Sequence, residues 1–331
     1  MIGIAASAGG VEALRRVVAG LPGDLAAAIC VVLHIPAAGR SLLAPILDRD
    51  GPLTAVAAED GQPLRSGVIY VAPADRHLLV RRHAIELSRG PKENGVRPAA
   101  DPMFRSLARS WGPEAIGVVL SGALGDGSAG AVWLAAAGAA VIVQDPADAI
   151  VPGMPASAIA ATSPDYTVPL AEISELLGRL VREAAPPAFV QGAMPPDPDP
   201  LDHLLRQHRP DGPPSAFTCP ECSGVLWELR DTPLIRYRCR LGHTFSDDAM
   251  LEAQGDAVEA ALWTALEVLE ERVELLRRIG ARTEAKPRGA GRLEDAAHEV
   301  MDRASLLRRA LSMGVGNRAL STGDDLVEAG G

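Results

Sequence analysis

Ile2-Gly3-Ile4-Ala5-Ala6-Ser7-Ala8-Gly9-Gly10 runs straight into Val11-Glu12-Ala13-Leu14-Arg15-Arg16-Val17-Val18. The first stretch reads as a short apolar strand and the second as a helix, with small residues between them. Small neighbours let the backbone turn sharply and let another molecule approach, and the first amides of a helix carry unpaired N–H groups. Ser7 is therefore held out at a strand end, in a place suited to attack a carbonyl or to hold a phosphate.

Outward from this turn, β and α signals alternate to about residue 183, the pattern of a largely parallel sheet with helices on both faces. The strand candidates are 2–6, 28–35, 54–58, 68–72, 116–121 and 140–144. Helix candidates fall at 11–19, 41–47, 102–110, 128–137, 155–161 and 171–183. His77–Ser88 breaks the rhythm and predicts an antiparallel hairpin added to the sheet, with His77 and His83 exposed on it.

The 331-residue chain is 47% hydrophobic, enough for a real core. Its 32 Lys and Arg stand against 42 Asp and Glu, a formal charge of −10, so there is no basic face for nucleic acid or an anionic membrane. With no basic N-terminal region before an apolar stretch and no window near ~20 apolar residues, neither export nor membrane insertion is expected, and the chain reads as cytoplasmic. Cys30 stands alone in an apolar strand, whereas Cys219, Cys222 and Cys239 gather, which suggests metal before disulfide.

Beyond the α/β region, residues 184–214 are rich in Pro, Asp and Gly and read as a semi-rigid linker, with room for a short helix at 201–207. Residues 215–246 read as a compact module. After it, residues 248–280 lack proline and repeat Val258, Leu262, Leu266, Leu269, Val273 and Leu276 at steps of three and four. A second segment at 293–311 has the same character. The two predict a helical hairpin within 247–331 that ends in a flexible tail, its stripe serving as a hairpin seam or a homodimer contact.

Three polar residues lie where predicted strands end: Ser7, His34 after Ile29–Leu33, and Asp126 just past Ile116–Ser121. In an open parallel sheet those ends share one edge, where ligands bind. An imidazole can take a serine proton near neutrality and a carboxylate can fix the imidazole, so the set suffices for nucleophilic catalysis, with the amides of Ala8 and Gly9 as an oxyanion hole. Spacing alone leaves plainer readings open: Ser7 as a helix N-cap, Asp126 as the cap of the helix after Gly127, and His34 as a strand-end residue bonded to backbone. A nucleotide site fares worse, because Gly3, Gly9 and Gly10 lack the dinucleotide-loop spacing and no Lys-Ser or Lys-Thr follows.

Taken together, residues 4–10, Leu33-His34-Ile35-Pro36, Tyr70-Val71-Ala72-Pro73, Arg97-Pro98 with Asp101, 117–130 and Gly153-Met154-Pro155 resemble, in order over residues 1–182, the motif series of CheB-type protein-glutamate methylesterase catalytic domains. The resemblance implies a doubly wound, mostly parallel sheet with a small antiparallel addition. It implies Ser7 as nucleophile, His34 as base and Asp126 as orienting carboxylate. The substrates it implies are glutamate γ-methyl esters on the helical cytoplasmic part of chemoreceptors or a similar signalling protein, with glutamine deamidation by the same route and no catalytic cofactor. A non-catalytic scaffold or sensor on the same fold is the alternative.

The sequence departs from the family pattern at Ala5, at Ala8 and around Gly122-Ala123-Leu124-Gly125-Asp126-Gly127. The sequence begins at the first catalytic strand, so the receiver domain that commonly precedes the catalytic domain in the family, and control by phosphorylation within the chain, are not expected. Arg97 is a candidate contact to the substrate carboxyl region, with a salt bridge to Asp101 or Glu93 as the alternative. Met154 is a candidate for lining the ester pocket, with helix-start packing as the simpler account.

Cys219-Pro220-Glu221-Cys222 and Cys239-Arg240-Leu241-Gly242-His243 supply two knuckles with four ligands, which suits a closed tetrahedral structural zinc. Hairpin strands at 225–229 and 235–238 would present those turns, making a zinc ribbon. Some 30 residues bury too little surface to fold without the metal. Phe217, Trp227, Tyr237 and Phe245 are expected to form its miniature core.

Overall fold

Alternate residues of strand β1 (Ile2–Ala6) and β2 (Ile29–Leu33) point into different cores. Ile2, Ile4, Ala6, Ile29, Val31 and Leu33 enter one cluster, and Ala5, Cys30 and Val32 the other. Strands apolar on both sides have to be covered on both sides, and that requirement sets the architecture. The structure, a computed structural model, describes residues 1–37, 41–183, 212–230, 232–282 and 287–313. It divides into two compact units, Met1–Ala249 and Met250–Gly331.

In the first unit, β1 and β2 join β3 (Thr54–Ala57), β4 (Val68–Val71), β7 (Ile116–Val119), β8 (Ala140–Gln144) and β9 (Tyr166–Val168) in a seven-stranded parallel sheet. Its order is β3-β4-β2-β1-β7-β8-β9. Helices α1 (Gly10–Ala19), α2 (Leu43–Asp50) and α6 (Leu170–Glu183) cover one face. Helices α3 (Ala100–Trp111), α4 (Ser128–Ala136) and α5 (Gly153–Ala161) cover the other. The expected doubly wound sheet is thus present, and its winding reverses between β1 and β7, the crevice where such sheets bind ligands.

The hairpin β5 (His77–Val80) and β6 (Ile85–Ser88) forms its own two-stranded antiparallel sheet instead of extending the large one. The cause lies in α3: Ser106 Oγ accepts from the Val80 amide at 2.8 Å and Ser110 Oγ donates to the Val80 carbonyl at 2.9 Å, so helix side chains occupy the strand edge. His77 is buried, contrary to expectation; its Nδ1 accepts from the Ala99 amide at 3.2 Å and its Nε2 donates to the Pro91 carbonyl at 2.9 Å. His83 is exposed as expected.

The same unit carries a four-stranded antiparallel ribbon, β10 (Pro214–Thr218), β11 (Val225–Leu229), β12 (Arg236–Cys239) and β13 (Thr244–Ser246), in sequential order. Its interior is Leu226, Trp227, Leu229 and Phe245. Phe217 and Tyr237 do not join it as expected; they stack edge to face at 5.3 Å, with Phe217 exposed.

In the second unit, α7 (Asp247–Arg282), which starts in the first, and α8 (Pro287–Ser312) run antiparallel, since Glu270 pairs with Arg308 and Arg277 with Glu294. Val273, Ala297 and Val300 form the seam. The proposed linker helix and most of the linker, like the C-terminal tail, lie outside the described residues. Among the described residues no helix is long and apolar enough to cross a membrane.

Candidate active site

The turn after β1 places Ser7 where the sheet winding reverses. Gly9 takes φ of 74° there, and a Cβ on it would lie 2.8 Å from both Ser121 Oγ and the Ile150 side chain. Glycine is therefore required at this position by both backbone and space. The loop after β7 fastens the turn: the Ser7 amide donates to the Ser121 carbonyl at 2.9 Å, and Ser121 Oγ donates to the Ala8 carbonyl at 2.8 Å. Gly10 donates to the Ser7 carbonyl at 2.8 Å, while among the described residues the Ala8 and Gly9 amides find no acceptor.

Three strand-end side chains meet across 120 residues of sequence. His34 Nδ1 lies 3.0 Å from Ser7 Oγ, and His34 Nε2 lies 2.7 Å from Asp126 Oδ2. The imidazole is largely enclosed, 13% exposed, and Asp126 is buried. Among the described residues Ser7 caps no helix, and Asp126 does not cap the helix that follows Gly127. Gly9, not Ser7, occupies the N-cap of α1, and Gly127, not Asp126, that of α4.

Asp126 instead caps α3. Oδ2 accepts from the Ala100 amide at 2.6 Å and Oδ1 from the Asp101 amide at 3.2 Å, the first two residues of that helix. Asn94 Nδ2 also donates to the carboxylate, at 3.0 Å. Burial opposes the charge on Asp126, yet His34, the Ala100 amide and Asn94 outweigh it and hold its pKa below the ordinary carboxylate value. Asp101 answers reciprocally by capping α4, Oδ1 accepting from Gly127 at 3.0 Å and from Gly130 at 2.7 Å.

Asn94, Asp101 and Ser121 were not assigned site roles from the sequence. Each sits in a loop or at a helix start, where no periodicity marks it, and each has a partner more than twenty residues away.

Met154 is fully buried beneath Gly122: a Cβ on that glycine would stand 2.1 Å from Met154 Sδ and 2.9 Å from Ser7 Cβ. It thus packs behind the Ser7 turn. Arg97 bonds to Asp75 Oδ1 through Nε at 3.0 Å and to the Gly90 carbonyl at 2.7 Å. Neither expected salt-bridge partner is used, because Glu93 is buried against Arg105 of α3 and Asp101 turns toward α4.

On the ribbon, Cys219, Cys222, Cys239 and His243 bring their ligand atoms within 4.8 Å of one another. Cys222 and Cys239 sulfurs are 3.6 Å apart, and His243 Nδ1 is 3.6 and 3.5 Å from those of Cys219 and Cys239. Tetrahedral zinc would require roughly 3.5–3.8 Å between such ligands, so the donor set fits.

A family model for CheB methylesterase matches residues 2–177. The chain belongs to the CheB methylesterase family. It is 41% identical over 187 residues to protein-glutamate methylesterase/protein-glutamine glutaminase 2 of Caulobacter vibrioides, covering 55% of this chain and 54% of that protein. A second relative, protein-glutamate methylesterase/protein-glutamine glutaminase 4 of Anaeromyxobacter dehalogenans, is 40% identical over 189 residues, covering 56% and 52%. The crystal structure of the Thermotoga maritima CheB methylesterase catalytic domain aligns with a TM-score of 0.53 at 35% identity, covering 54% of this chain and 97% of that one. The chain spans about half the length of the curated relatives it matches, and the ribbon and helices α7 and α8 fall outside residues 2–177 matched by the family model.

Proposed function

We propose that this chain is a serine hydrolase that removes methyl groups from glutamate γ-methyl esters, with Ser7 as nucleophile, His34 as base and Asp126 as the carboxylate that orients it. The observation that carries this reading is the continuous hydrogen-bonded path from Ser7 Oγ through both nitrogens of His34 to Asp126. Ser7 Oγ bonds to the ester carbonyl carbon as its proton passes to His34 Nδ1, and Asp126 stabilises the imidazolium through Nε2–H. The amides of Ala8 and Gly9 receive the oxyanion, each such donor typically contributing about 3 kcal/mol.

Collapse of the intermediate breaks the bond to the methoxy group, which leaves as methanol with the proton from His34. Water, deprotonated by His34, then attacks the acyl-serine and releases glutamate and free Ser7. A glutamine side chain at the same site would release ammonia by the same steps, in keeping with the double name of the relatives. The substrate class is the methylated helical part of a chemoreceptor or a similar signalling protein.

Cys219, Cys222, Cys239 and His243 hold one zinc ion. When bound it closes both knuckles and supplies folding energy, and four protein ligands leave no position for water, so it takes no part in ester hydrolysis.

Ser7→Ala tests the assignment. The variant is expected to keep its melting temperature and lose at least a thousandfold in methanol release from a methylated receptor. Methanol release near the wild-type rate would overturn the triad.

A further inference from the structure

Asn94 is where the ribbon meets the triad. Its backbone takes φ of 52°, a left-handed conformation that asparagine tolerates better than most residues. Its Nδ2 faces inward, donating to Asp126 Oδ1 at 3.0 Å and to Asp101 Oδ2 at 3.2 Å. The Oδ1 faces the ribbon and accepts from the Ser246 amide at 2.9 Å, while its own amide donates to the Thr244 carbonyl at 2.7 Å.

This arrangement decides which way the amide group points. Ser246 N–H is a donor and demands Oδ1, which leaves Nδ2 for the two carboxylates. Turned over, the group would set an oxygen against Asp126 and an N–H against the Ser246 amide, in a site where unpaired polar groups are costly. Strand β13, which supplies the deciding bond, begins one residue after His243. The other knuckle reaches the same loop, since Lys92 Nζ pairs with Glu221 Oε1 at 2.8 Å between Cys219 and Cys222.

We propose that Asn94 is a positioning residue through which the Cys3His ribbon holds Asp126 against His34, so that cation loading of the ribbon sets the reactivity of Ser7. The proposal rests on the serine-hydrolase reading above. Without a cation, a module of this size lacks the buried surface to keep its knuckles closed, and the bonds from Thr244 and Ser246 to Asn94 go with them.

The test uses the full chain, loaded with zinc and then stripped by a chelator. Two quantities are read: the rate constant for fluorophosphonate labelling of Ser7 at saturating probe, separately from its amplitude, and amide hydrogen exchange at Asn94, Ala100 and Asp101. Stripping is expected to lower the rate constant at least tenfold at unchanged amplitude and to speed exchange at all three amides, with zinc alone restoring both. Partial unfolding would lower the amplitude and leave the rate constant of the remaining molecules intact.

Asn94→Ala in zinc-loaded protein is expected to show the slow rate constant and to respond no further to chelation; Cys239→Ser should match the stripped protein. A rate constant and exchange unchanged by stripping, or an Asn94→Ala variant that labels at the wild-type rate, would overturn the proposal. Should Ser7 resist labelling in the loaded wild type, the hydrolase reading fails, and amide exchange at Ala100 and Asp101 still decides the coupling.

Discussion

Asp101 and Asp126 share the donor Asn94 Nδ2, and their surroundings pull their ionisations apart. Asp126 is held below the ordinary carboxylate value, so its contribution to stability is present above that value and is lost as pH falls through its lower, folded one. Asp101 goes the other way: burial, then the neighbouring Asp126 charge, pushes it up to about 7. Between about pH 4 and 7 the unfolded chain gives up a proton that folded Asp101 keeps, so this residue costs stability as pH rises through that window. Asp101→Asn removes that titration. The melting-temperature difference, variant minus wild type, should rise by about 3 °C or more from pH 4 to pH 7. A difference that is flat across the window would show that Asp101 is ionised throughout.

Helices α3 and α4 meet at Gly130, where a Cβ would stand 2.5 Å from Phe104 Cβ and 3.2 Å from the Asp101 backbone. Neither neighbour is the far end of a flexible chain, so Gly130→Ala must part the helices. Overpacking of this kind costs about 1–3 kcal/mol, offset by up to ~1 kcal/mol of helix propensity. Urea unfolding should therefore show a net loss of about 1–2 kcal/mol; a stabilised variant would mean the helices separate freely. Elements with long apolar runs were legible in the sequence, as β1 and β8 show, both spanning the predicted residues. Strand β9 was not, because three residues between Pro164-Asp165 and Pro169 carry no period. The outer ribbon strands β10 and β13 were hidden for related reasons. Pro214 opens one inside a proline-rich stretch, and the other has three residues before a helix. Ser7, His34 and Asp126 could be singled out because strand ends of a parallel sheet converge. Asn94 could not, since one of its hydrogen-bond partners is Ser246, 152 residues away.

At the scale of the whole chain, the two units differ sharply in what holds them. The sheet unit has two large cores that bury whole strands, including Ile2, Ile4, Ile29 and Val31 at 0% exposure. The helical unit buries Val273, Ala297 and Val300 along its seam, and leaves Val258, Trp263, Val268, Leu275 and Leu306 about half exposed. The apolar stripe read from the sequence is therefore covered at Leu266 and Val273 and open at Val258. The shorter of its cross-helix ion pairs, Glu270 with Arg308 at 2.6 Å, is half exposed on both sides, and such a pair adds less than about 1 kcal/mol. Opening free energy follows buried apolar surface. Native-state hydrogen exchange of the isolated monomer should accordingly rank the amides of β1, β2 and β7 as the most protected, with those of α7 beyond Met250 and of α8 opening at several kcal/mol less. Because a self-associating hairpin would bury the exposed residues, protection there that rises with protein concentration would assign the open stripe to a second copy of the chain. Protection equal to that of the sheet at high dilution would instead show that the seam alone supplies stability its few buried residues do not predict.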